Sequence, residues 1–142
     1  MKHKKILMVE DDVDYLNLFY NTIPRYASMK GQSENISVDI AQDKASALEM
    51  ITKGNYDVVF TDGCLERGED DYHSDWSGAE IAKAAKQNGA YTIGISRESE
   101  KFKNLAGDLL DINYKKPWRV PVLWHIIENQ PNNEEFKKYL RE

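Results

Sequence analysis

Cysteine is nearly absent. Cys64 is the one thiol among 142 residues, which excludes an internal disulfide and a cysteine-rich zinc site and fits a reducing compartment. Long apolar runs are also missing. After the basic start Met1-Lys2-His3-Lys4-Lys5, the apolar stretch extends only from Ile6 to Val9, too short for a secretory signal or a membrane span. Positive charge is not in excess: the net charge is −5, so nucleic acid is not an expected partner. No repeat or low-complexity segment is visible. His3, His73 and His125 share no spacing that pairs them as metal ligands, and they read as solvated or packing residues. These absences leave a soluble cytoplasmic protein of ordinary domain size, with a 41% hydrophobic content that suffices for a core.

The most informative stretch present is Asn55-Tyr56-Asp57-Val58-Val59-Phe60-Thr61-Asp62-Gly63. Val58, Val59 and Phe60 leave no polar face, as in a strand buried on both sides of a parallel sheet. The run ends on an acid, and the carboxyl ends of such strands form the ligand crevice. Three other strand-like runs end on polar groups. Lys5–Val9 enters Glu10-Asp11-Asp12, Tyr91–Ile95 enters Ser96, and Asp111–Lys115 delivers Lys116 before Pro117. Four strand ends thus offer acids, a hydroxyl and an amine to one crevice.

Helical spacing fills the intervals. Val13, Leu16, Phe19, Tyr20 and Ile23 predict a first helix capped by Asp12 or Asp14, with Pro24 inside it or near its end. Met29 to Asn35 reads as a loop, and Ile36–Ile40 alternates as an edge strand. Asp43 precedes a helix over Lys44–Lys53, with Ala45, Leu48 and Ile51 inward and Gly54 as its stop. Ser77-Gly78-Ala79-Glu80 reads as a capping box for a third helix whose inner face is Ile81 and Ala84-Ala85. A fourth, Ser99–Ala106, carries Phe102, Leu105 and Ala106, and a fifth, Val120–Asn129, carries Leu123, Ile126 and Ile127. Tyr15, Phe19, Trp118 and Trp124 read as packing. Alternation of strand and helix argues a doubly wound α/β sheet with right-handed crossovers. We therefore expect one domain over 1–130 and a short helical extension over 131–142, which is too small for a DNA-binding output fold.

Glu10-Asp11, Asp62, Ser96 and Lys116-Pro117, in this order and at these strand ends, resemble the receiver domain of two-component response regulators, of the stand-alone chemotaxis-regulator kind. The resemblance covers about Lys5 to Asn129. It implies a flavodoxin-like (βα)5 fold with a parallel five-stranded sheet in the order 2-1-3-4-5. It also implies that Asp62 accepts a phosphoryl group from a histidine kinase or phosphotransfer protein. The cofactor would be Mg²⁺, held by Glu10, Asp11, Asp62 and the backbone carbonyl of Cys64. Lys116 would neutralise phosphoryl oxygens, and Ser96 would hydrogen-bond one of them. Such a chain is a signalling domain that assists its own phosphorylation and dephosphorylation, not an enzyme acting on a separate substrate. It would signal to a downstream protein, with homodimerisation left open.

The physical chemistry agrees with these roles. A carboxylate can form an acyl phosphate, and bringing two anions together calls for a hard cation with oxygen ligands. The sequence also departs from the family. Glu66 stands where a proline is usual, and Gly78 stands sixteen residues after Asp62, so the loop between them carries about eight extra residues, many acidic (Glu66, Glu69, Asp70, Asp71, Asp75). That loop reads as solvated or as a flap over the pocket. Arg97 follows Ser96 where the family has a small residue, and it would shield the phosphoryl group from water. Asn113 occupies the place of the switch aromatic, with Tyr114 beside it. Two other classes compete: a receiver-like binding module that takes no phosphate, and a haloacid-dehalogenase-type phosphatase, whose Asp-x-Asp would have to be Asp12-Val13-Asp14, two residues too late.

Overall fold

A computed structural model of the chain describes residues 1–67 and 74–141. Eleven elements build its main body: β1 (Lys4–Val9), α1 (Val13–Met29), β2 (Ile36–Ala41), α2 (Lys44–Lys53), β3 (Val58–Asp62), α3 (Gly78–Gln87), β4 (Tyr91–Ser96), α4 (Ser99–Ala106), β5 (Ile112–Lys115), α5 (Val120–Asn129) and α6 (Asn133–Arg141). The five strands form one sheet in the order β2-β1-β3-β4-β5, and every adjacent pair is parallel. This is the flavodoxin-like (βα)5 arrangement, and the Ile36–Ala41 strand lies at an edge as its alternation predicts.

Alternation of side chains divides the core into two layers. Ile6, Met8, Val58, Phe60, Ile93 and Ile95 face α1 and α5, where Leu16, Phe19, Ile23, Leu123, Ile126 and Ile127 complete an aromatic-rich layer. Leu7, Val9 and Val59 face the other way, onto Ala47, Ile51, Ile81 and Ala85 of α2 and α3. All five residues of β3 are buried, as its lack of a polar face requires. Among the described residues no helix is long and apolar enough to cross a membrane.

Several details differ from the sequence reading. The buried line of α1 is Leu16, Phe19, Ile23 and Ala27. Val13 and Tyr20 are exposed, because they lie on a neighbouring line of the helix turned away from the sheet. The helix passes through Pro24 and ends at Met29, so the loop starts later than predicted. In α2, Ala47 rather than Ala45 joins Ile51 inside, four residues apart on one face. Leu105 of α4 is exposed.

No capping box forms at α3. Ser77 has helical backbone angles, and its side chain makes no cap bond. Its hydroxyl is buried without a partner among the described residues. The entry to α3 is set instead by close approach: a Cβ on Gly78 would lie 2.2 Å from the Asp62 carbonyl oxygen and 2.6 Å from the Gly63 Cα. Only glycine permits that contact, which brings α3 directly against the end of β3.

The extra loop begins and ends as a short antiparallel ribbon, Glu66–Arg67 against Ser74–Asp75. Its centre, with Glu69, Asp70, Asp71 and His73, lies outside the described residues, and so does any flap formed there. Beyond the expected boundary at 130/131, α6 packs on the same core. Phe136 is buried and meets Tyr114 edge-on at 5.6 Å, while Tyr139 stacks on His125 at 3.6 Å. His125 is therefore a packing residue.

Candidate functional site

The carboxyl ends of β1, β3 and β5 converge on one cavity of about 240 Å³, lined by Glu10, Asp11, Asp12, Asp62, Arg97 and Lys116. Each side chain is delivered by local structure. The Glu10 amide still pairs with the Ala41 carbonyl at 3.0 Å, so the acid inherits the direction of β1. Asp12 turns the chain into α1, its carboxylate accepting from the amides of Asp14 (2.9 Å) and Tyr15 (3.4 Å). Asp62 is the last residue of β3, and its Oδ1 accepts from the Cys64 amide at 3.3 Å. The Lys116 amide bonds the Ser96 carbonyl at 3.1 Å, extending the β4–β5 pairing by one step before the cis Lys116-Pro117 peptide.

Electrostatics bind the group together. Lys116 Nζ donates to Glu10 Oε1 at 2.6 Å and to Asp62 Oδ2 at 3.1 Å, with its ammonium 4.5 Å from the Tyr15 ring centre. All three charged groups are buried, with Glu10 and Asp62 each 3% exposed and Lys116 8%. Burial, reinforced by hydrogen bonding to Asp62 and by its charge, pushes the Glu10 carboxyl up to about 8 despite the opposing effect of Lys116. Burial pulls Lys116 down, but the charges of Asp62 and Glu10 outweigh it and hold the amine above its usual value. One lysine thus serves two carboxylates, and a proton on Glu10 relieves the remaining excess of negative charge.

The donor set suits a divalent cation. One carboxylate oxygen from each of Glu10, Asp11 and Asp62 lies within 4.8 Å of the others. Such all-oxygen sites are what Mg²⁺ and Ca²⁺ take.

Of the residues singled out in the sequence, Glu10 and Asp62 both bond Lys116, and Asp11 lines the same cavity with a carboxylate oxygen within 4.8 Å of theirs. Cys64 lies beside them through its amide, and its thiol is buried. Ser96 is buried at the same sheet edge, where its hydroxyl accepts from the Glu98 amide at 3.1 Å; the cavity wall at that point is formed by Arg97. Asp12 also lines the cavity, in keeping with its place in the acid run Glu10-Asp11-Asp12, although the receiver resemblance gives it no role. Asn113 donates to the Ser99 carbonyl at 2.7 Å and so ties β5 to α4. Tyr114 is turned to the opposite face, where its hydroxyl accepts from the Arg119 amide at 3.3 Å.

Comparison with solved structures identifies the architecture. A response regulator receiver domain from Methylobacillus flagellatus matches with a TM-score of 0.66 and 22% identity, over 92% of this chain and 100% of that one. The chain has the receiver-domain fold. A response regulator of Thermotoga maritima, solved with Mg²⁺ and beryllium fluoride, matches with a TM-score of 0.63 and 22% identity, over 90% of this chain and 99% of its own. A response regulator from Burkholderia pseudomallei, containing a phosphorylated aspartic acid, a calcium ion and citrate, matches with a TM-score of 0.63 and 21% identity, over 89% of this chain and 68% of that one. No family model and no curated protein matches the sequence.

Proposed function

We propose that this chain is a response-regulator receiver whose Asp62 accepts a phosphoryl group from a histidine kinase or phosphotransfer protein. The observation that carries this reading is the placement of Asp62. It is a buried carboxylate at the end of the central strand, with a lysine on one oxygen and two further acids within metal-sharing distance. In the transfer, an Asp62 carboxylate oxygen forms a bond to phosphorus while the bond from phosphorus to the donor nitrogen breaks, leaving an acyl phosphate.

Glu10, Asp11, Asp62 and the Cys64 carbonyl would hold Mg²⁺. When bound, it offsets the repulsion between the acids and an incoming anion. Lys116, already in contact with Asp62, would follow the phosphoryl oxygens as a point charge. The Ser96 hydroxyl accepts one bond from Glu98 and retains its own hydrogen, which it can donate to a phosphoryl oxygen. Residues 1–130 would form the signalling unit and 131–142 an extension that covers β5, with a downstream protein reading the phosphorylated state in the cytoplasm.

Asp12 caps α1 and Asp14 is exposed, so no observation favours the Asp-x-Asp phosphatase reading. Intact-mass measurement after incubation with a small acyl phosphate and Mg²⁺ tests the proposal. A gain of one phosphoryl mass, lost when the metal is chelated beforehand, is expected. A mass unchanged under all conditions would favour a binding module that takes no phosphate.

A further inference from the structure

Among the described residues the cavity wall contains two cations, and they are not equivalent. Lys116 is buried and engaged with Glu10 and Asp62. Arg97 is exposed at the rim, directly after the last residue of β4. Among the described residues its side chain makes no ion pair or hydrogen bond, although four carboxylates line the same cavity. A guanidinium has five donors in a planar fork that matches the oxygens of a phosphoryl group two at a time.

Phosphorylation would replace the single charge of Asp62 with a group of about −2. Lys116 could answer only part of that change, because Glu10 also claims it. The cation with unspent donors, standing where an anion would enter from solvent, is Arg97. We propose that Arg97 is a second phosphoryl-contact residue, pairing with oxygens of the group carried on Asp62 and prolonging the phosphorylated state. This rests on the phosphoacceptor reading above. Hydrolysis requires a water oxygen to bond to phosphorus as the bond from phosphorus to the Asp62 oxygen breaks. That step returns the carboxylate, with phosphate and the water's protons leaving to solvent. A guanidinium clamped on the phosphoryl oxygens narrows the approach in line and favours the charged ground state. The same charge would draw the anionic donor in.

The test uses the full chain and its Arg97→Ala, Arg97→Met and Arg97→Lys variants. Each is labelled with a small acyl phosphate and Mg²⁺, freed of donor, and followed by intact mass. Arg97→Ala and Arg97→Met should both lose the phosphoryl group about tenfold faster than the parent, the size of one charge-assisted contact. Both should need severalfold more donor for half-maximal labelling, and Arg97→Lys should recover only part of the lifetime, because an ammonium keeps the charge without the fork. If Arg97→Met decays as slowly as the parent, bulk alone protects the site and the pairing is overturned. Equal lifetimes in all four proteins overturn it as well. A parent that takes no label overturns the phosphoacceptor reading itself, a result distinct from a labelled parent with indifferent variants.

Discussion

Two cavities sit at opposite ends of the same parallel sheet, and each holds a lysine bonded to a carboxylate. At the amino end, Lys86 meets Asp111 at 2.5 Å in the wider of the two, about 390 Å³, lined also by Asp57, Tyr91 and Gln130. At the carboxyl end, Lys116 meets Glu10 at 2.6 Å in a smaller one. The pair distances are nearly equal, but the burial is not. Lys86 and Asp111 side chains are 41% and 25% exposed, whereas those of Lys116 and Glu10 are 5% and 4%. Water can solvate the first pair, so it is an ordinary surface contact. Around the second the protein must supply the solvation, and its lysine is shared with another buried carboxylate, Asp62. Cavity size is therefore a poor guide here. Desolvated charge marks the end where phosphoryl chemistry is proposed.

The contrast can be broken most completely at Asp62. Asp62→Asn preserves shape but removes the proposed nucleophile, so the phosphoryl mass gain should vanish, while Asp111→Asn should label like the parent. Labelling of Asp62→Asn at the parent's rate would remove this residue from the chemistry.

Metal binding comes next in size. Asp11→Ala should abolish the Mg²⁺-dependent change in tryptophan fluorescence. That signal is expected because Trp118 packs on Tyr15, the ring beneath Lys116. An undiminished fluorescence titration in Asp11→Ala would place the ion elsewhere.

The third test uses pH. Glu10 is raised from 4.5 to about 8 on folding, so its protonated form is favoured in the native state. Its contribution to stability is complete below pH 4.5 and is lost as pH rises through about 8. Without metal the parent should therefore melt at progressively lower temperature from about pH 5 upward, and Glu10→Gln should flatten that slope. Mg²⁺ affinity should rise over the same window, since the ion must displace this proton. Lys116→Met, which strands the two acids, should cost about 3 kcal/mol at pH 8 in denaturant titrations and less at pH 5, where Glu10 takes up a proton.

The smallest effect belongs to the amino-end pair. Lys86→Ala should cost under about 1 kcal/mol and leave labelling unchanged. A loss comparable with that of Lys116→Met would mean that exposure does not separate the two ends.

Much of this was legible in the chain. Strand and helix positions follow from local periodicity, which is why Lys44–Lys53, Ser99–Ala106 and Val120–Asn129 agree with their predicted limits. Asp62 and Lys116 stood out because abrupt endings of apolar runs on charged residues are local signals. Contacts between segments distant in sequence were not legible. Ser77 and Glu80 have the spacing of a capping box, yet the approach of Gly78 to Asp62 dictates a different entry to α3. Val13, Tyr20 and Leu105 are apolar at helical spacing and still exposed, because only the packed sheet decides which line of a helix it covers.

The sequence by itself determined the five alternating strand–helix units and the polar residues that end the strands, and it narrowed the first helix cap to Asp12 or Asp14, of which the structure uses Asp12, since each depends on residues within a turn or two of one another. Tertiary structure alone decided the rest. Parallel pairing placed residues 10, 62 and 116 within hydrogen-bonding reach. Packing set α6 on Tyr114 through Phe136, and burial raised the Glu10 carboxyl while leaving Arg97 at the open rim. Ionisation and desolvation depend on every neighbour in space, and those neighbours exist only once the sheet has closed around them.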